Sequence, residues 1–143
     1  MLGYFVMKII ELEKVTNNKI GRVTTNNVKL EPHEDATALF LTQFGLNIEY
    51  IKPSNIHNNR NADFMINGSV WETKSPNGNG NSTIARKFHK ASKQADKMVL
   101  DLRRIKIATE EATNQAINSF QKSRGIRRLL LITKDARLID IRK

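Results

Sequence analysis

The stretch Asn61-Ala62-Asp63-Phe64-Met65-Ile66-Asn67-Gly68-Ser69-Val70-Trp71-Glu72-Thr73-Lys74 decides the fold. Two short apolar runs flank Asn67-Gly68, and an Asn-Gly pair supplies the positive φ values that a two-residue hairpin turn requires. The register follows: Ile66 faces Ser69, Met65 faces Val70, Phe64 faces Trp71 and Asp63 faces Glu72. Side chains alternate between faces, so Asp63, Met65, Val70, Glu72 and Lys74 share one side of the hairpin. Phe64, Ile66 and Trp71 share the other, which is expected to be core.

Two carboxylates directly opposite each other on a sheet repel. A divalent cation held between hard oxygen ligands would compensate them, and Lys74 adds an ammonium on the same face. The spacing Asp-x8-Glu-x-Lys therefore brings a metal site and a cation to one end of one hairpin face, the equipment of phosphodiester cleavage. Glu-x-Lys alone is a weak motif that also fits a solvated strand face; the register that brings Asp63 to Glu72 gives it weight.

Upstream, Met1 to Val15 has no clean period and fits a strand or a short helix, while Thr16 to Asn27 reads as turns around a strand at Ile20 to Thr24. Pro32 opens a helix with Glu34 and Asp35 in its first turn. Ala36, Leu39, Phe40 and Phe44 form its expected apolar stripe, and Gly45 ends it. Asn47 to Ile51 predicts a strand, and Lys52 to Arg60, with Pro53 and His57, a loop.

Downstream, Ser75-Pro76-Asn77-Gly78-Asn79-Gly80-Asn81-Ser82 is a turn-rich loop ending at an N-cap. Ile84, Phe88, Ala91 and Ala95 then recur at helical spacing. Arg86, Lys90, Lys93 and Lys97 follow the same rhythm two residues later, about 200° around the helix, so one face packs and the opposite face is basic. Met98 to Leu102 predicts a strand and Glu110 to Lys122 a helix with Ala112, Ala116, Ile117 and Phe120 inward. Arg128 to Thr133 predicts a buried strand, and Leu138 to Ile141 a last one after the turn at Lys134 to Arg137. The expected architecture is α/β: a mixed central sheet flanked by helices, in the order α-β-β-β-α-β followed by a helix and a hairpin. It occupies residues 30–143, with residues 1–29 an N-terminal extension packing on the domain.

Length suits one domain without covalent staples, and the absence of cysteine excludes disulfides and Cys-based zinc sites. The 24 Lys+Arg against 14 Asp+Glu give a net charge of +10, and residues 51–143 hold 19 of the basic and 8 of the acidic side chains. Such a field suits a polyanion, nucleic acid first. No run approaches the ~18 apolar residues of a membrane span, and Met1 to Ile10 lacks a signal-peptide pattern. The expectation is a cytoplasmic protein, or one delivered into a target-cell cytoplasm, with no membrane partner.

The element order, with Glu34 on the first helix, Asp63 starting one strand and Glu72-Thr73-Lys74 on the next, resembles the PD-(D/E)xK nuclease superfamily. Within it, Trp71-Glu72-Thr73-Lys74-Ser75-Pro76, Ile84-Ala85-Arg86, Ala91-Ser92-Lys93-Gln94-Ala95-Asp96 and Asp101-Leu102-Arg103-Arg104 are similar to the C-terminal nuclease domains of CdiA contact-dependent inhibition toxins. Related phage and mobile-element domains share the likeness, which spans roughly residues 30–142. The superfamily's usual Pro before the first Asp is replaced by Ala62.

The resemblance implies a metal-dependent endonuclease, with tRNA the favoured substrate and DNA the alternative for the same fold. It implies Asp63 and Glu72 as metal ligands, Glu34 completing the shell directly or through water, and Lys74 positioning the nucleophile or stabilising the transition state. The implied cofactor is Mg²⁺ or Mn²⁺, with Zn²⁺ also compatible. Arg86, Lys87, Lys90, Lys93 and Lys97 would contact the nucleic-acid backbone, and an acidic immunity protein would cover the positive cleft.

Among other residues, His33 and His57 fit either a general base or ordinary surface, and His89 fits a phosphate contact or solvated filler. The glycines of the 75–82 loop would let backbone N–H groups approach a phosphate, though no P-loop lysine follows them. Gln94 fits a site neighbour or a simple surface residue, and Trp71 belongs to the core. A basic module that binds nucleic acid without cutting it is the alternative from a different class. Facing carboxylates weigh against it, because they would repel the ligand.

Overall fold

The structure is a computed structural model that describes residues 6–52 and 63–143. The expected loop from Pro53 onward, with His57, and Ala62 before the hairpin lie outside them. The described chain runs β1 (Lys8–Leu12), a 3-10 turn (Asn17–Lys19), β2 (Val23–Thr24), α1 (Pro32–Thr42), β3 (Ile48–Tyr50), β4 (Asp63–Ile66) and β5 (Ser69–Lys74). It continues with α2 (Thr83–Ser92), β6 (Lys97–Asp101), α3 (Thr109–Lys122), β7 (Arg128–Ile132) and β8 (Leu138–Arg142). The strands form one mixed sheet in the order β1-β8-β7-β6-β5-β4-β3-β2. Its centre, β5-β6-β7, is parallel, and β4 and β8 flank it antiparallel.

The β4–β5 hairpin has the register read from the sequence, with Asp63 opposite Glu72 and Phe64 opposite Trp71. Asn67 and Gly68 take φ values of 47° and 89°, the left-handed pair that matches strand twist in a two-residue turn. A parallel sheet with helices on both faces buries both faces of its central strands, and two cores result. On one face, Ala38, Phe40 and Leu41 of α1 cover Phe64, Ile66, Trp71, Val99 and Leu130. On the other, Ile84 and Phe88 of α2 and Ala112, Ala116 and Phe120 of α3 cover Met98, Leu100, Leu129 and Leu131.

Three features depart from the sequence reading. The expected stripe of α1 is rotated: Ala36 is exposed and Leu39 is 59% exposed, while Thr37, Ala38, Phe40 and Leu41 face inward. A polar contact explains it, since the buried Thr37 hydroxyl donates to Asp101 Oδ2 at 2.6 Å and orients the helix. The basic helix also ends sooner, at Ser92 with Lys93 as its C-cap. Asp96 accepts backbone hydrogen bonds from Arg127 and Arg128 at 2.7 and 3.3 Å, drawing the chain into the sheet. Lys97 therefore begins β6 and pairs with Asp96 at 3.4 Å, away from the α2 stripe.

The third concerns the N-terminal residues, which are built into the sheet itself. Lys8–Leu12 pairs antiparallel with β8 at one edge, and Val23–Thr24 pairs with β3 at the other. β1 falls within the Met1 to Val15 stretch that fits a strand or a short helix, and β2 within the strand expected at Ile20 to Thr24; two short, mostly exposed strands carry too little periodicity to show that they pair into the central sheet.

Candidate active site

The hairpin places Asp63 and Glu72 side by side on the α2 face of the sheet, where Glu72 also lies opposite Met98 of β6. Glu72 is 1% exposed, and its carboxyl hydrogen-bonds that of Asp63. Burial pushes the Glu72 carboxyl up to about 8, and the hydrogen bond and charge of Asp63 add to the rise, while Lys74 opposes it. A hydrogen bond between two carboxyl groups needs a proton, so the pair holds one near neutrality. Asp63 Oδ1 is buried with no hydrogen-bond partner among the described residues.

Two residues along β5, Lys74 returns to the same face and reaches back to Glu72, Nζ to Oε1 at 3.0 Å. Both side chains are almost fully buried. Lys74 also lines a cavity of about 510 Å³ at the C-terminal end of β5, walled by the α1 N-terminus, the 75–78 segment, α2 and Arg104. Ligands of open α/β sheets bind in crevices outside the carboxyl ends of the strands, and this cavity lies at that end of β5. Here β5 runs antiparallel to β4 and parallel to β6.

Lys74, Arg86, Lys87, Lys90 and Arg104 all line the cavity. Burial lowers the pKa of the Lys87 ammonium, and Lys90, Lys74 and Arg86 lower it further. Such crowding of like charges favours an anion between them. Lys93 is exposed at the end of α2 and Lys97 stands on β6, so neither lines this cavity.

Glu34 and His33 border the cavity from the α1 side. Glu34 Oε1 accepts the Glu31 N–H at 3.0 Å, capping its own helix. Among the described residues, no group of three His, Asp or Glu side chains converges as a metal cluster. A hard cation fits the Asp63–Glu72 pair nonetheless: it would replace the shared proton and satisfy the orphaned Oδ1.

Arg104, Thr73 and Ser75 also line the cavity, and the sequence reading did not single them out as candidates. Arg104 Nη2 donates to Ser75 O at 3.2 Å, which holds its guanidinium at the cavity rim. The one signal was the Asp101-Leu102-Arg103-Arg104 run, where the buried Asp101 takes Arg103 Nη2 at 2.8 Å and leaves Arg104 facing outward.

Residues 60–138 match the family described as the contact-dependent growth inhibition CdiA C-terminal domain. The fold is similar to that of a solved chain from the CdiA-CT/CdiI toxin and immunity complex of Burkholderia pseudomallei. The TM-score is 0.60 at 22% identity, over 86% of this chain and 100% of the other. No curated protein matches. The family match spans more than half of the chain and takes in Asp63, Glu72, Lys74 and α2, and the chain accordingly belongs to the contact-dependent growth inhibition CdiA C-terminal domain family of toxins.

Proposed function

We propose that this toxin domain is a metal-dependent endonuclease of the PD-(D/E)xK type, with tRNA as its favoured substrate. The observation that carries the reading is the Asp63–Glu72 pair, two carboxyls facing each other across the hairpin with Asp63 Oδ1 unpartnered among the described residues, and Lys74 Nζ 3.0 Å from Glu72 in the wall of a cation-lined cavity. Membership of the CdiA C-terminal family supports the toxin role.

Asp63 and Glu72 hold the divalent ion, Mg²⁺ or Mn²⁺ by the hardness of their oxygens. When bound, that ion supplies Lewis acidity toward the water nucleophile and the scissile phosphate. Lys74, fixed by Glu72 on one side, turns its remaining donors toward the cavity and stabilises the charge that builds on the phosphate oxygens. Arg86, Lys87 and Lys90 neutralise the substrate backbone within the cavity, and Lys93 extends the track outward. Glu34 acts from the α1 side through water, since its carboxylate is engaged in capping.

The similar solved chain is described together with an immunity protein. For this chain we infer an acidic immunity protein that covers the cation-lined cavity, and delivery of the toxin into a target-cell cytoplasm.

The test incubates wild type and Glu72→Gln with total tRNA and with plasmid DNA, in Mg²⁺, Mn²⁺ or EDTA. Cleavage of tRNA that needs metal and disappears in the variant is the expected outcome. Cleavage of plasmid alone makes the substrate DNA. Equal binding of nucleic acid by both proteins with no cleavage of either polymer leaves a binding module.

A further inference from the structure

The cavity beyond Lys74 is larger than one phosphate needs, and the carboxylate pair does not line it. Lys74 belongs to both places: it pairs with Glu72 and forms part of the cavity wall. The cavity also carries equipment that cleavage at Asp63 and Glu72 does not use. Thr73 is 6% exposed, and its hydroxyl has no hydrogen-bond partner among the described residues. The Ser75 hydroxyl is likewise buried and unpartnered there. A buried hydroxyl without a partner costs stability, and both of these residues line the cavity.

The 75–78 segment of the wall is tied in place. Arg104 donates to Ser75 O at 3.2 Å, and the Lys106 N–H donates to Gly78 O at 3.0 Å. These bonds hold the 75–78 segment against the chain that follows β6, with Arg104 in the same cavity lining as Thr73 and Ser75. Among the described residues Glu34 is the single carboxylate in the lining, and its charge is engaged at the N-terminus of α1.

We propose that this cavity is a second phosphate subsite, occupied by the backbone phosphodiester of the nucleotide adjoining the cleaved bond, with Arg104 and the Thr73 and Ser75 hydroxyls as its polar contacts. The assignment deepens the nuclease reading and rests on it. Lys74 stands between the two phosphates, so occupation of the subsite sets the cleaved bond against the carboxylates. The substrate is then a strand with a phosphate on both sides of one nucleotide, and internal bonds are preferred over a terminal bond that lacks the adjoining phosphate.

The test measures binding in EDTA by NMR titration, using a dinucleotide with one internal phosphodiester, the same dinucleotide with an added terminal phosphate at either end, and inorganic phosphate. Wild type is expected to bind one of the two-phosphate ligands about tenfold more tightly than the one-phosphate ligand, since hydrogen bonds to charged groups are of that size. Arg104→Met is expected to lose that advantage, and the near-isosteric Thr73→Val to reduce it, with both folded by their amide spectra. Equal binding of one- and two-phosphate ligands by wild type overturns the proposal, as does an advantage that survives in Arg104→Met. Inorganic phosphate binding as tightly as the two-phosphate ligand would make this a free-anion site and also overturns it. Failure of the nuclease reading shows separately, as absence of cleavage by wild type with metal present.

Discussion

Asp63 and Glu72 face each other across the β4–β5 hairpin, and their carboxyls share a hydrogen bond that keeps one proton between them. Burial is the main cause: it pushes Glu72 up to about 8, from an ordinary value of 4.5. Between those values the folded chain binds more protons than the unfolded one. The stability this proton contributes is full below the ordinary carboxylate range and is lost as pH rises through about 8. Glu72→Gln carries no such proton. Thermal melts in EDTA from about pH 5 to about pH 9 should show wild type losing stability more steeply than Glu72→Gln. Parallel slopes would mean that the shared proton is absent.

Lys74→Met keeps the length and apolar stem of the side chain but removes the ammonium that reaches Glu72. The expected result is a folded protein that still binds the divalent ion and cleaves about 10²–10³ times more slowly, the loss typical of one electrostatic donor. Single-turnover rates with saturating enzyme check it. An unchanged rate would remove Lys74 from the chemistry.

The Thr37–Asp101 hydrogen bond joins α1 to β6, and Arg103 completes the shell of the buried carboxylate while its guanidinium lies 4.6 Å from the Phe40 ring centroid. Thr37→Val removes a bond to a charged group and should cost roughly 1.5–3 kcal/mol in urea unfolding. Because α1 brings His33 and Glu34 to the cavity, catalytic activity should fall as well.

Gly21 and Gly68 should respond differently to alanine. A Cβ at Gly21 would stand 1.8 Å from Leu46 O, a backbone atom beside the β2–β3 pairing, so Gly21→Ala should cost roughly 3 kcal/mol. At Gly68 there is open space and only the φ of 89° to strain, so Gly68→Ala should cost about 1–2 kcal/mol. Comparing their denaturation midpoints tests both figures.

The hairpin was legible because each local rule agreed: an Asn-Gly turn, alternating apolar residues and a matched register. The buried strands were legible for a similar reason, since Leu129 to Ile132 and Val99 to Leu100 have no polar alternative. The rotation of α1 was hidden because apolar residues surround that helix and Thr37, a polar residue, points inward to a partner 64 positions away. The end of α2 was hidden because Lys97 continues the basic rhythm, while the backbone pairing of Asp96 with Arg127 that stops the helix is long-range. The acidic pair and the lysine came from register alone. Arg104, Thr73 and Ser75 join the cavity from two separate loops and strand ends, a proximity that no periodicity encodes.

A Mn²⁺ titration followed by electron paramagnetic resonance shows directly whether Asp63 and Glu72 hold a divalent cation. Wild type and Lys74→Met are expected to bind the ion, while Asp63→Asn and Glu72→Gln each lose it. Mn²⁺ binding that persists unchanged when both carboxylates are replaced would contradict their role as ligands.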